Sequence, residues 1–219
     1  MDAVRWGEPL AAVRVIRRSL RDAWDALVDV APINLAWAGL GLTIVLLPPA
    51  TAALFESMHE LASGRSPGIR DYIGAVRRRL VDGWAWALWS AAGLTIVGVN
   101  IGLYPDLTDL RAWLSAVVAV IGILFGVSVL YVWPLYLLQP DGGLLRAIRN
   151  SILTTLAAPL FAVVLAILLA LIVAIGAVLI LPIVLVLPGL ICLVASHAVT
   201  DRLRAWGKIP PRPLTEEGD

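Results

Sequence analysis

Charge is scarce in this sequence. Asp, Glu, Lys and Arg make up 15% of it, where an ordinary soluble domain carries about 25%. Apolar residues reach 60%, against about 45–50% in such a domain, and the mean hydropathy is +0.88. One globular core cannot hide that much apolar surface, so lipid must be the solvent for much of it. Cysteine is almost missing too. Cys192 stands alone in an apolar run, which excludes an internal disulfide and leaves it as a small hydrophobe. Lys208 is the only lysine, so arginine carries the basic charge. No secretory leader is visible, because the first thirty or so residues lack a continuous apolar stretch, and the first membrane segment is expected to be retained. A phosphate-cradling glycine loop, a Cys/His cluster and a Ser placed beside a His and an Asp are all lacking. These absences argue against an enzyme, a resident cofactor and a bound metal.

What remains is apolar runs separated by basic segments. Residues 8–30 place Leu10, Val13, Ile16, Leu20, Trp24 and Leu27 at spacings of three and four, with Arg14, Arg17, Arg18 and Arg21 on the other face. A basic amphipathic helix of this kind lies in the membrane interface; the bland alternative is a surface helix on a soluble domain, for which no such domain is visible. Between Asp29 and Glu56 there is no charge. A first membrane helix is expected from Pro32 to Leu47, short against the roughly twenty residues of a straight span. Pro48-Pro49 stops it, and Pro49 opens a second helix reaching Ala62. A second basic amphipathic segment covers 70–82. A third membrane helix follows over 84–104, anchored by Trp84, Trp86 and Trp89. After an acidic link at Pro105–Asp109, a fourth helix is expected over 110–138, with Pro134 kinking its last turns. Gln139 to Gly143 reads as a turn, and 144–155 as a third basic segment carrying Arg146 and Arg149. From Asn150 to Thr200 no charged residue occurs, too long for one crossing of a core about 30 Å thick. It divides into helices over 157–181 and 187–202, with Pro182 and Pro188-Gly189 marking the hairpin. The tail, 204–219, reads as mobile.

Basic segments mark the cytoplasmic side of a membrane. The N-terminal, 65–79 and 144–149 segments and the tail are all basic, so even numbers of crossings must separate them. The expected fold is an all-α integral membrane protein of six transmembrane helices in three hairpins, each preceded by a basic amphipathic interfacial helix. Both termini lie in the cytoplasm, and 32–62 forms a full hairpin or a re-entrant pair. A five-span alternative would put Arg65–Arg79 outside, against the charge bias. The domain layout is an N-terminal interfacial helix over 1–31, a membrane domain over 32–203 and the tail. The repeating units of basic helix plus hairpin are 8–62, 70–138 and 144–203.

A repeat supports this division. Val15-Ile16-Arg17-Arg18-Ser19-Leu20, Ala75-Val76-Arg77-Arg78-Arg79-Leu80 and Ala147-Ile148-Arg149-Asn150-Ser151-Ile152 share one pattern, each ahead of a hairpin. Pro49, Leu54 and Ser57 also align without gaps on Pro188, Leu193 and Ser196. Shared composition of basic helices ahead of spans is the competing explanation.

Several of these stretches carry a family likeness. They are Asn34-Leu35 with its apolar run, Leu47-Pro48, Ala50-Thr51-Ala52-Ala53-Leu54, Asp71-Tyr72, Arg77–Leu80, Val132-Trp133-Pro134-Leu135 and Leu145–Leu153. On them the chain resembles the YesL family of bacterial membrane proteins over roughly 25–205. It departs from the family at Leu47-Pro48-Pro49-Ala50, where a Gly-containing link is more usual, and at Tyr72, where Phe is. The resemblance implies a six-helix protein of the bacterial inner membrane. Members are commonly encoded near carbohydrate uptake and breakdown genes, no biochemical activity is established for the family, and no site residues carry over.

Glu56, His59, Glu60 and Ser63 share one helix face. Ionisable groups inside a membrane need water or partners. So Glu56, His59 and Glu60, with Asn34, Asn100 and His197, are candidates to line a polar vestibule. The bland alternative sets the carboxylates in the headgroup zone, paired with Arg77–Arg79. Glu56-x-x-His59 has the spacing of a di-iron half-site, but its second half is missing. Isolated Asn34 and Asn100 also fit plain interhelical hydrogen bonding. Arg17, Arg18, Arg77, Arg78, Arg79, Arg146 and Arg149 form the interfacial basic set, and anionic lipid rather than nucleic acid accounts for them. The function expected first is transport-associated, accessory to solute and possibly carbohydrate uptake machinery. The alternatives are a channel or carrier in its own right and, more remotely, a membrane enzyme. The oligomeric state is open.

Overall fold

The structure is a computed structural model that describes residues 9–102, 109–139, 142–178 and 186–210. Among these residues it is all-helical: α1 (Pro9–Asp25), α2 (Leu27–Gly41), α3 (Leu47–Ala62), α4 (Ile69–Arg78), α5 (Leu80–Gly102), α6 (Asp109–Leu138), α7 (Gly143–Ala157), α8 (Pro159–Val178) and α9 (Leu187–Ala205). The acidic link before Asp109, Pro182 and the tail beyond 210 lie outside the described residues.

Three of the helices are long and apolar enough to cross a membrane, over Leu80–Ile101, Trp113–Leu138 and Pro159–Gly176. Few of their side chains are buried in protein; Leu88, Ile96 and Ile167 are each at least 60% exposed. Contiguous apolar surface on this scale is stable only against lipid.

The other helices are placed by their patterns. In α1, Ala11, Ala12, Val15, Ile16, Ser19 and Ala23 are buried, while Arg14 and Arg17 face outward. Its inner stripe of mostly small side chains lets it lie closely on α8 and α9. α2 begins at Leu27, so the expected helix start at Pro32 and the domain boundary at 31/32 both fall inside it. Asp29 does not end a helix there, because an acid in the first turn meets the positive end of the helix dipole. Pro32, in the second turn, removes one backbone bond without stopping the helix.

α3 starts where Pro48 and Pro49 can both be tolerated, in a first turn whose N–H groups have no partner in the helix. α9 starts the same way at Pro188. Both helices are largely buried. They pack on each other and on α6, and both bury small residues: Ala50, Ala53 and Ser57 in α3, and Gly189, Ala195 and Ala198 in α9. Within lipid, such residues hold helices together by close approach. α4 packs on α3, α7 on α6 and α1 on α9.

α5 and α6 run antiparallel. Asp82 meets Tyr136, Trp86 Nε1 donates to the Val129 carbonyl at 3.3 Å, and the Trp89 and Phe125 rings lie 5.0 Å apart. The link from α2 to α3 sits at the start of this pair. Trp84 Nε1 donates to the Val45 carbonyl at 3.1 Å, and Gly83 lies directly on Pro48 and Pro49. From Trp84, α5 continues for about 27 Å at the usual helical rise.

Candidate functional site

The densest polar cluster is built where α3 meets the junction of α4 and α5. α3 turns Glu56 toward this junction. Arg78, the last residue of α4, donates to Glu56 Oε1 at 2.9 Å, and Arg79 Nε donates to Oε2 at 2.7 Å. Both carboxylate oxygens are therefore engaged by guanidinium groups, while Arg77 is exposed. The Arg79 guanidinium also lies over the Tyr136 ring at 5.0 Å and within 6.0 Å of the Trp133 ring. Tyr136 donates its hydroxyl to Asp82 at 2.8 Å. Trp86 closes the cluster, 6.3 Å from Phe55 and 6.1 Å from Trp133. One carboxylate between two guanidiniums, walled by aromatic rings, thus ties α3, α4, α5 and α6 together.

A second polar contact joins the first helix to the last. His197 Nε2 and Asp22 Oδ2 are 2.8 Å apart, and Arg18 reaches the same carboxylate at 3.4 Å. Burial would raise the Asp22 carboxyl, but the hydrogen bond and charge of His197, and then Arg18, outweigh it and hold the group below its ordinary value. His197 is almost fully buried. Across α3, His59 is close enough to His197 and Arg65 to interact electrostatically, and its Nδ1 is buried with no hydrogen-bond partner among the described residues. Asn34 of α2 is fully buried farther along α9, against Gly189 and Met58, about two turns before His197. A Cβ at Gly189 would come within 3.0 Å of both side-chain heteroatoms of Asn34, so glycine is what admits the amide.

The expected vestibule residues therefore divide. Asn34, His59 and His197 gather around α9, with Glu60 half-buried on the same α3. Glu56 faces the other way, into the arginine pair. Asn100 is not part of either group: near the far end of α5, it turns its amide back onto the Ile96 carbonyl at 2.8 Å. That local bond gives the amide N–H a partner within its own helix. Glu56 and His59, three apart, thus engage different neighbours and do not act as one half-site. No group of three His, Cys, Asp or Glu side chains able to hold a metal ion occurs among the described residues. Of the interfacial basic set, Arg17, Arg77, Arg146 and Arg149 are exposed, whereas Arg18, Arg78 and Arg79 hold carboxylates.

Some of the polar structure escapes sequence reasoning. Asp22 is one such residue; its spacing of four from Arg18 was the available signal. Arg202 is another. It is 5% exposed, pairs with Asp201 at 2.6 Å and stacks on Phe161 at 4.1 Å. Nothing in its local pattern separates it from a solvated arginine at a helix end.

Residues 30–101, less than half of the chain, match the family described as "Protein of unknown function, DUF624". The matched stretch takes in most of α2, all of α3 and α4 and nearly all of α5, which together include Glu56 and both of its arginine partners. No curated protein and no solved structure matches the chain.

Proposed function

We propose that this is a bacterial inner-membrane protein of accessory, transport-associated function, which works beside a solute-uptake system and does not itself conduct solute. The observation that carries this reading is the buried packing of α3 on α9 among the described residues. The two helices pack on each other with Ala52, Ala53, Leu54, Met58, Leu193, Val194 and Ala198 fully buried, and the carboxylate of Glu56 is spent on two arginines. A carrier needs groups that can exchange partners with a substrate; this carboxylate is held by the bundle's own helices. The association with uptake, possibly of carbohydrate, rests on the resemblance to the YesL family. In proteoliposomes the purified protein is expected to give no ion or sugar flux above protein-free vesicles. A flux that scales with the amount of protein would replace this reading with the channel or carrier.

The membrane disposition that accompanies it is three units, α1–α3, α4–α6 and α7–α9, each a basic helix followed by a hairpin. The cyclic packing of α4 on α3, α7 on α6 and α1 on α9 supports an approximate threefold arrangement. The first hairpin is re-entrant. Its link lies beside the start of α5, and Leu42, Ile44 and Val45 at its tip are exposed and apolar, as a tip immersed in lipid requires. Both termini then share the cytoplasmic side. In a Cys192→Ala background, an impermeant thiol reagent applied to intact cells is expected to label Asp106→Cys but neither Ser66→Cys nor Ile44→Cys. Outside labelling at position 44 would make the hairpin a full crossing, and labelling at 66 would reverse the topology.

A further inference from the structure

α7 is basic at its start and apolar at its end. It carries Arg146 and Arg149 and no acidic residue, and both arginines are exposed. Its second half leaves an open groove of about 180 Å³ against the middle of α6, lined by Leu124, Phe125 and Ser128 on one side and Ile152, Thr155 and Leu156 on the other. The two hydroxyls in this lining are already used within their own helices. Ser128 donates to the Phe125 carbonyl and Thr155 to the Ser151 carbonyl, each at 2.9 Å. The groove therefore offers a ligand a mostly apolar surface with no free hydroxyl donor. It lies along the Trp113–Leu138 stretch, the longest of the membrane-crossing candidates, where lipid chains are the surrounding medium.

We infer that this groove is a binding site for an anionic phospholipid of the surrounding bilayer, with one acyl chain in the groove and the phosphate at Arg149 and Arg146. The spacing sets the arrangement. Arg146, Arg149, Ile152 and Leu156 recur at three and four, so they form one stripe along α7. Arg149 lies one turn from Ile152 and two turns from Leu156, about 4.5 and 10.5 Å along the axis. An acyl chain hanging from a phosphate at Arg149 passes over both. Charge selects the headgroup: two guanidiniums with no acid on the helix favour a net-negative lipid over a zwitterionic one. The site rests on the membrane disposition proposed above and is independent of whether the protein conducts solute.

The test uses the whole chain reconstituted in nanodiscs of mixed phosphatidylglycerol and phosphatidylcholine, then transferred to mild detergent for native mass spectrometry. Wild type is expected to retain phosphatidylglycerol selectively. Arg149→Gln is expected to lower that selectivity about fivefold, the factor one basic residue supplies at an anionic surface. Ile152→Trp, which fills the groove, is expected to lose the retained lipid while eluting as a folded species of unchanged size. Arg77→Gln, at an exposed arginine outside the site, is the control and is expected to retain lipid as wild type does. Equal retention of both lipids by wild type, or unaltered retention in Ile152→Trp, would overturn the site. A change of oligomeric state in Ile152→Trp would also overturn it, by making the groove a contact between copies. Membranes washed with carbonate serve as the separate check: release of the protein by that wash would mean that the membrane disposition, not the lipid site, had failed.

Discussion

Glu56→Ala is expected to lower the apparent melting temperature in detergent by about 6–12 °C. The side chain is 16% exposed and its partner Arg79 is 19% exposed. Removing the carboxylate leaves a guanidinium enclosed by Trp133 and Tyr136 with its counter-charge gone. Breaking a largely buried pair from one side costs about 3 kcal/mol, which in a chain of this size corresponds to the stated shift at about 2–4 °C per kcal/mol. The cost lies mainly in the orphaned charge, so the double variant Glu56→Ala with Arg79→Met should recover most of the loss. Arg78→Ala should cost much less, because the Arg78 side chain is 60% exposed and its pairing is screened by solvent. Thermal unfolding followed by size-exclusion fluorescence reads all three. An unchanged melting temperature in Glu56→Ala would mean that the clamp does not hold the helices. A double variant no better than the single would mean that the orphaned charge is not the cause.

The second large effect is expected at Gly83. A Cβ there would stand 2.8 Å from Pro49 Cα and 2.9 Å from Pro49 N, against backbone that a proline pair makes stiff. No rotamer change relieves such a clash. α5 must move off α3, which also pulls Arg79 from Glu56 and Trp84 from Val45. Gly83→Ala is expected to cost at least the about 1–3 kcal/mol typical of overpacking, and Gly83→Leu to leave little folded protein. Gly98, where a Cβ meets nothing within 4 Å, is the comparison: Gly98→Ala should be neutral or mildly stabilising. Folded yield per cell separates the cases. Gly83→Leu accumulating like wild type would refute the close approach.

Much of the helical layout was legible because it rests on local chemistry. The Pro48-Pro49 pair marks the start of α3, and the spacing of apolar residues against arginine marks α1 as a helix, although Leu10, Val13, Leu20 and Trp24 of that spacing are exposed and the buried stripe is Ala11, Ala12, Val15, Ile16, Ser19 and Ala23. Boundaries set by charge alone were less secure, as Asp29 inside α2 shows. The site was legible in part. Glu56 stood out as a carboxylate needing a partner, and the arginine run supplied candidates. Which arginines reach it depends on the break in helix at Arg79, where one helix ends and the next begins in a new direction. Spacing along a continuous helix cannot show that. Asn100 looked like a membrane polar group in need of a neighbour, yet its own preceding turn accepts its amide N–H. The contact of His197 with Asp22 spans 175 positions, and no periodicity carries information over that range.

That long contact has a consequence for how the molecule is assembled. α1 leaves the ribosome well before its partners α8 and α9. Until they arrive, the inner stripe of α1 has no surface to lie on, and the Asp22 carboxylate must wait in water or at the lipid headgroups. Fastening α1 to α9 therefore waits until α9 has been made, and it carries the largest chain-closure entropy of any contact described. A chain cut short before α9 would expose that stripe together with the small-residue face of α3. The making of α9 and the concealment of these surfaces are thus one event, and a fragment that lacks α9 keeps both faces open.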